Sequence, residues 1–213
     1  MLIRKWDAAQ NDEEWRQFLL AHDFGQFIAS GKDRSVPVIV PTHFVFDGES
    51  RISLHLARAN PVWAALDENP IAVMSVVGAY TYVPTMVNGG REEPAQYGVP
   101  TSYYAAVQVS GSCEVVDDDR LASILSEQLA HFQPEGGYAA VEPGDNPYAR
   151  QFAAIRGIRL TIEEVRAKFK FGGNKTAEHR SQIAEWLATL PGENAAEART
   201  NLLRRSEPAD QPR

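Results

Sequence analysis

Apolar and polar residues alternate with a period of two along much of this chain, and the pattern predicts a mainly β protein. In segment 51–57, for example, Ile52, Leu54 and Leu56 fall on one face of a strand. The turn Asp47-Gly48 precedes this segment, so we expect the flanking strands to form a hairpin. The same reasoning predicts strands at residues 24–29, 36–46, 51–57, 71–83, 103–116 and 157–171.

Helical spacing and capping residues predict fewer helices than strands. Asn11 to Glu14 resembles a capping box, and Thr176 is expected to cap a last helix that reaches about residue 189. Further helices are expected at 61–68, 117–131 and 148–155, and a long loop at 84–100. The strands outnumber the helices and return through short turns. This favours a mainly β fold of the α+β class, in the form of an antiparallel Greek-key-like β-barrel with peripheral helices.

The domain organisation follows from the absence of an internal linker. Residues 1–190 are expected to form one domain. Residues 191–213 form a polar C-terminal tail with too little apolar surface to fold alone, so we expect it to be partly disordered, apart from a possible helix around Leu202 and Leu203.

Composition narrows the class of partners. The chain has 213 residues and a formal net charge of −7, so no global basic field attracts nucleic acid or an anionic membrane. Because there is also no basic recognition helix, we expect no direct binding to DNA. The single cysteine, Cys113, excludes an internal disulfide and a cysteine-based zinc site. We find neither a signal-peptide core nor an apolar run of membrane-spanning length, and expect a soluble cytoplasmic protein.

A first candidate anion site lies around Arg58, which continues the apolar face of segment 51–57. The next signal is Asn60-Pro61, a good N-cap followed by proline at the first position of a helix. An arginine beside a helix N-terminus can hold a phosphate or a carboxylate. The alternative is that Arg58 pairs with one of the many acidic residues of the chain.

A second candidate site lies at the end of the last predicted strand. Arg166, Lys168 and Lys170 alternate with apolar residues and therefore share one face. The turn that follows, from Gly172 to Thr176, could expose backbone N–H groups to a phosphate. The alternative is a solvated edge strand protected by its lysines.

Other polar residues interrupt apolar strands without completing a motif. Thr42 and His43 do so in one strand, and His55 lies at the corresponding depth of the next, where the two histidines could pair across the hairpin. No third ligand is spaced to make a metal site with them. Aromatic side chains around the long loop could sandwich a planar cofactor or pack in a core or dimer interface: Tyr80, Tyr82, Tyr103 and Tyr104. With no nucleophile, Walker or Rossmann motif, an enzyme of this sequence would depend on a bound cofactor.

Several segments, taken in order, resemble the PaiB-type family of FMN-binding negative transcriptional regulators, whose fold is the FMN-binding split barrel. The resemblance covers about residues 22–190. It is strongest in the run from His55 to Trp63, HLARANPVW. The other matching segments are His22-Asp-Phe-Gly25, Pro41-Thr-His-Phe44, Gly78-Ala-Tyr-Thr-Tyr-Val83, Val99-Pro-Thr101, Tyr104-Ala-Ala-Val107, Lys168-Phe-Lys170 and Asn174.

The resemblance implies an FMN-binding homodimer with flavin-dependent redox activity on a small molecule. It implies cofactor contacts from Thr42, His43, Arg58, Asn60, Tyr82, Thr101, Lys168, Lys170 and Asn174. The catalytic residues, the substrate and the electron donor are left open.

The chain also departs from the family pattern in three segments. Pro-Thr-Trp-Asn-Tyr becomes Pro100-Thr-Ser-Tyr-Tyr104, Tyr-Val-Ser-Pro-Ser-Trp-Tyr becomes Tyr82-Val-Pro-Thr-Met-Val87, and Lys-Leu-Ser-Gln-Asn becomes Lys170-Phe-Gly-Gly-Asn174. The alternative function is therefore a non-enzymatic regulatory or binding module that keeps the fold and has weakened or lost flavin binding.

Overall fold

The structure is a computed structural model, and it describes residues 1–89, 94–144 and 147–205. The strands are β1 (Phe24–Ala29), β2 (Val38–His43), β3 (Val45–Phe46), β4 (Arg51–Ala57), β5 (Ile71–Val83), β6 (Thr101–Val115) and β7 (Ile155–Lys170). The helices are α1 (Asp12–Ala21), α2 (Val62–Glu68), α3 (Thr85–Asn88), α4 (Asp118–Phe132), α5 (Ala149–Phe152), α6 (Ala177–Leu187) and α7 (Glu193–Arg204), with a short 3₁₀ turn at Ala95–Tyr97.

The strands form one seven-stranded sheet in the order β2-β1-β5-β6-β7-β4-β3. The registers of β1 with β2, β1 with β5, β3 with β4 and β4 with β7 are all antiparallel. The expected strand 36–46 is divided into β2 and β3, which lie at opposite ends of the strand order. Phe44 separates them: its side chain is fully buried, and its N–H donates to the carbonyl oxygen of Asp23 at 2.8 Å.

The predicted hairpin turn is confirmed and is held by Asp47. Its carboxylate oxygen Oδ1 accepts from the backbone N–H groups of Glu49, Ser50 and Arg51 at 2.9–3.0 Å. Gly48 has φ +84°, a conformation that a residue with a side chain rarely adopts. Burial opposes ionisation of Asp47, but hydrogen bonds from the Arg51 guanidinium and these amides outweigh it and lower the pKa to about 2.

Contacts within the chain divide it into two compact units, which share the long strands β5, β6 and β7. Unit 2 comprises residues 16–76 and 108–165. Its fully buried side chains include Phe27, Ile52, Leu54, Ile124 and Ile158, and helix α4 packs against β4. Asp117 caps α4, with its carboxylate accepting from the N–H of Arg120.

Unit 1 comprises residues 1–15, 77–107 and 166–213. Phe169, Phe171 and Ile183 contribute to its buried core, and helix α6 packs against α7. The Thr176 cap is confirmed, because its hydroxyl accepts from the N–H of His179 at 3.3 Å. The assignment of residues 1–190 to one domain stays a prediction.

The start of the predicted tail, from Glu193 to Arg204, is helix α7. Ala195, Ala198 and Leu202 of this helix are buried. The rest of the expected disordered segment, residues 206–213, lies outside the described residues. In the described ranges, no helix combines the length and the apolar character needed to cross a membrane.

Candidate functional site

Unit 1 contains a cavity of about 390 Å³, here called the lysine cavity. Among the described residues that line it, cationic side chains outnumber acidic ones. Its lining includes Arg4, Asp7, Asn88, Thr101, Tyr103, Lys168, Lys170, Gly172, Asn174 and Lys175. Four of these side chains are basic and only Asp7 is acidic. In a chain with a net charge of −7, this local excess of positive charge suits an anionic ligand.

The lysines of this cavity are anchored by neutral groups. Lys170 Nζ donates to Thr101 Oγ1 at 2.7 Å, and Lys168 Nζ donates to the Leu2 carbonyl oxygen at 2.9 Å. Lys175 Nζ donates to the Asn88 carbonyl oxygen at 3.4 Å, and burial lowers its pKa. None of the ion pairs among the described residues involves these lysines, so their charge is not neutralised by a directly bonded carboxylate.

The alternating face of β7 is confirmed, because Ala167 and Phe169 are buried while Arg166, Lys168 and Lys170 are not. In the strand order β7 lies between β6 and β4, but β4 pairs only with residues 155–161. Beside the lysines the neighbour is the N-terminal segment: Ala8 forms a bridge with Lys168, and the Phe169 N–H donates to the Asp7 carbonyl oxygen at 2.7 Å. The lysine-bearing end of β7 is therefore covered by backbone and is not an open edge. Arg166 is tied to the first residue of the chain, since its Nη2 donates to the Met1 carbonyl oxygen at 2.7 Å.

Two buried polar atoms at the lysine cavity have no hydrogen-bond partner among the described residues: Asn88 Oδ1 and the Tyr103 hydroxyl. Buried polar groups are normally satisfied, so unsatisfied ones at a cavity indicate that a bound molecule or water completes them. Burial also raises the pKa of Tyr103, which keeps its hydroxyl protonated.

Asp7 is the acidic residue among the described residues that line the cavity, and it is buried, with 5% exposed. Burial raises its pKa, while Lys168, Lys170, Arg205 and Arg4 act in the opposite direction. A bound anion would raise that pKa further.

Two departures from the family pattern meet in space here. A side chain at Gly172 would place its Cβ 2.5 Å from the Tyr103 hydroxyl oxygen, and Gly172 has φ +67°. A side chain at Gly173 would place its Cβ 2.1 Å from the Trp6 carbonyl oxygen. Glycine therefore fits at both positions, where Tyr103 and the N-terminal segment occupy the volume that a side chain would need.

Unit 2 contains a separate, mostly apolar cavity of about 510 Å³, here called the histidine cavity. His43 and His55 line it with ring centroids 5.3 Å apart. The two side chains meet as expected, but not across the predicted hairpin, because His43 lies on β2 and the hairpin partner of β4 is β3. His55 Nδ1 lies 2.6 Å from Gln128 Oε1. No cluster of three or more potential metal-binding side chains occurs in the part of the chain that the structure describes.

The HLARANPVW motif is accounted for largely by local structure. Arg58 is exposed, and its guanidinium donates to the carbonyl oxygens of Ala153 at 3.0 Å and Ile155 at 3.3 Å. Asn60 Oδ1 accepts from the Val62 N–H at 3.0 Å, and Trp63 Nε1 donates to the Ala57 carbonyl oxygen at 2.9 Å. The expected helix is present as α2, which begins at Val62 and has only seven residues.

The remaining candidates lie apart from both cavity linings. Thr42 is buried and donates its hydroxyl to the His43 carbonyl oxygen at 3.1 Å. Tyr82 is 54% exposed on β5. Burial raises the pKa of Cys113 to about 12, which makes its thiol a poor nucleophile at neutral pH.

Of the nine predicted cofactor contacts, the structure brings Thr101, Lys168, Lys170 and Asn174 together at the lysine cavity. Thr42, His43, Arg58 and Asn60 belong to unit 2. Sequence reasoning missed Asp7, Asn88 and Lys175 in unit 1 and Gln128 in unit 2. Lys175 could have been found because it follows the Gly172-Gly173-Asn174 turn, whereas no periodic signal marks Asn88 or Gln128.

The antiparallel sheet with peripheral helices is the split-barrel type of fold that the sequence predicted. The chain belongs to the family whose model is described as "Putative FMN-binding domain", which matches residues 1–164. A curated relative is "Protease synthase and sporulation protein PAI 2" of Bacillus subtilis (strain 168), 23% identical over 198 residues, which are 92% of this chain and 93% of the relative. This is the PaiB relationship expected from the motifs.

Solved structures share the fold at low sequence identity. The FAD and heme binding protein from Mycobacterium smegmatis superposes with a TM-score of 0.59 and 20% identity, covering 84% of this chain and 80% of that one. The flavocytochrome Anf3 from Azotobacter vinelandii gives a TM-score of 0.59 at 18% identity, covering 84% and 78%.

Proposed function

We propose that this PaiB-like protein binds FMN and that the lysine cavity holds the FMN phosphate. The observation that carries the proposal is a group of three half-buried lysines, Lys168, Lys170 and Lys175. Their hydrogen-bond partners are neutral, and no carboxylate of the described residues forms an ion pair with them. A phosphate between such cations forms charge-assisted hydrogen bonds. The family model ends at residue 164, before these lysines, so their assignment rests on the cavity chemistry.

Each residue has a distinct proposed role. Lys170, held in place by Thr101, and Lys168 donate to the phosphate oxygens, and Asn174 at the following turn offers an amide. The unsatisfied Asn88 Oδ1 can accept from a ligand hydroxyl. The Asp7 carboxylate, when ionised, repels a bound anion and so limits the negative charge of a ligand in this cavity.

When bound, FMN supplies hydride or single-electron transfer, and the protein supplies binding and orientation. We propose redox activity on a small molecule, in a cytoplasmic homodimer that does not bind DNA directly. The second candidate function is a regulatory module without flavin. The observation that favours it is the replacement of the family residues at Tyr103, Gly172 and Gly173, which line or adjoin the same cavity.

Flavin titration of the purified protein tests the proposal. We expect FMN to bind and riboflavin, which lacks the phosphate, to bind much more weakly. Lys170→Ala removes one charge-assisted hydrogen bond, worth roughly 1.5–3 kcal/mol, and should weaken FMN at least about tenfold. Lys5→Ala is the matched control, because Lys5 is an exposed lysine of the same unit outside the cavity lining.

Three outcomes contradict parts of this proposal. A protein that takes up no added FMN supports the flavin-free module. If Lys170→Ala binds FMN as tightly as the wild type does, the phosphate does not bind in the lysine cavity. Arg58→Ala decides the remaining candidate: if it weakens FMN about tenfold and leaves riboflavin unchanged, the phosphate lies at Arg58 instead.

A further inference from the structure

The histidine cavity of unit 2 has no part in the phosphate site proposed above. Its walls are built from helices α4 and α5, the start of β7 and the loop residue Val141. The wall side chains Leu125, Val141 and Ile155 pack against a buried cluster that includes Leu121 and Phe152. These walls belong to the packed core of unit 2, so the cavity is a formed feature of the fold.

One end of this apolar cavity is polar. Gln128 is 4% exposed, and its Nε2 has no hydrogen-bond partner among the described residues. Its Oε1 lies 2.6 Å from His55 Nδ1. Because an amide oxygen only accepts, the tautomer that suits this contact carries its proton on Nδ1, and in that neutral tautomer Nε2 is an acceptor. A buried amide donor and an imidazole acceptor therefore meet at one end of an otherwise apolar space.

The charge of the lining restricts the ligand further. Among the described residues that line the cavity, none is Lys, Arg, Asp or Glu. Burial and the neighbouring His55 lower the pKa of His43, which keeps that imidazole neutral at neutral pH. A charged ligand would lose its hydration here without gaining a counter-charge, so the cavity selects against carboxylates and phosphates.

We propose that the histidine cavity is a binding site for an uncharged aromatic molecule that carries a hydroxyl group, of the phenol or naphthol class. The hydroxyl oxygen accepts from Gln128 Nε2, and its O–H donates to His55 Nε2. The ring packs among Leu125, Leu129 and Phe152. The unsatisfied Gln128 donor is what distinguishes this cavity from an apolar packing void, because a buried donor needs an acceptor, which a bound hydroxyl supplies together with the ring.

The test uses the purified full-length protein and three probes with the same ring system: 2-naphthol, naphthalene and 2-naphthoate. Calorimetric titration should rank 2-naphthol above naphthalene and naphthalene above 2-naphthoate. Gln128→Leu should weaken 2-naphthol about fivefold, as expected for the loss of one hydrogen bond, and should not weaken naphthalene.

Gln151→Leu is the matched control, since Gln151 also lines the cavity but is exposed. It should leave the 2-naphthol affinity unchanged. If Gln128→Leu does not fold, Val141→Trp, which fills the cavity from a loop, should abolish binding of both naphthol and naphthalene. Lys170→Ala should bind 2-naphthol like the wild type, so failure of the phosphate proposal is distinguishable from failure of this one.

Four results overturn the inference: no binding of 2-naphthol at millimolar concentration, naphthalene binding as tightly as 2-naphthol, 2-naphthoate binding more tightly than either, or equal weakening by Gln151→Leu and Gln128→Leu.

Discussion

The stability of unit 1 is expected to depend on an ion pair between the two ends of the chain. Arg205 follows helix α7, and its Nη2 donates to Glu14 Oε1 of helix α1. The exposed side-chain fractions are 3% for Arg205 and 12% for Glu14, so the pair is shielded from water. Arg205 Nη1 also donates to the Ala8 carbonyl oxygen at 3.0 Å, and its guanidinium carbon lies 5.3 Å from the Phe169 ring centroid.

Arg205→Ala leaves the Glu14 carboxylate buried without its cation. Breaking a buried pair by removing one partner costs roughly 3–5 kcal/mol. The pair itself contributes less, because burial opposes the charge on Arg205 and lowers its pKa. We therefore expect Arg205→Ala to lower the free energy of unfolding by about 3–5 kcal/mol, and Arg205→Ala with Glu14→Leu to lower it by less than Arg205→Ala alone.

Urea unfolding followed by tryptophan fluorescence measures this effect. Trp6, Trp15 and Trp186 report on unit 1 and Trp63 on unit 2, so differing transitions would show that the two units unfold separately. Arg204→Ala is the matched control, because Arg204 is an exposed arginine one position earlier, and it should change stability by less than about 0.5 kcal/mol. Equal stabilities of the two variants would refute the reasoning.

Two further predictions concern local contacts. Asp47 has a pKa of about 2 in the folded protein against 3.8 as its ordinary value, so its contribution to stability is present above about pH 4 and is lost as the pH falls through 2. The stability difference between wild type and Asp47→Asn should therefore shrink over that interval in unfolding titrations, and a constant difference would contradict it. Gly172→Ala should lower the free energy of unfolding by roughly 1–3 kcal/mol. In a Tyr103→Phe background, which lacks the contacting hydroxyl, the same change should cost about 1 kcal/mol less. Purely additive effects of the two changes would show that the contact is unimportant.

Patterns local in sequence were the easiest to predict. Strand β5 has the predicted bounds. The helix cap at Thr176 and the turn at Asp47 were each predicted from one residue, whose side chain accepts hydrogen bonds from nearby backbone N–H groups. The division of segment 36–46 could not be read in the same way, because β2 and β3 pair with different strands and only tertiary contacts decide that choice.

The candidate site was harder to predict for a related reason. Alternation along β7 places Lys168 and Lys170 on one face, but it says nothing about Lys175 or Asn88, which reach the same cavity from other elements. Arg58 was expected to meet an anion or a carboxylate. Its observed partners are two backbone carbonyl oxygens, for which sequence patterns offer no signal.

The departures from the family pattern also acquire a different meaning in three dimensions. Read along the chain, the changes at Tyr103 and at Gly172 are two independent losses of polar residues. In the structure the Tyr103 hydroxyl occupies the position that a side chain at residue 172 would need, so Tyr103 and Gly172 fit each other. Random decay of an abandoned site gives no reason for such complementarity, nor for three lysines whose hydrogen-bond partners are neutral around it. The same arrangement is expected if the lysine cavity still binds an anion, as proposed above, and the FMN titration decides between that proposal and the flavin-free module.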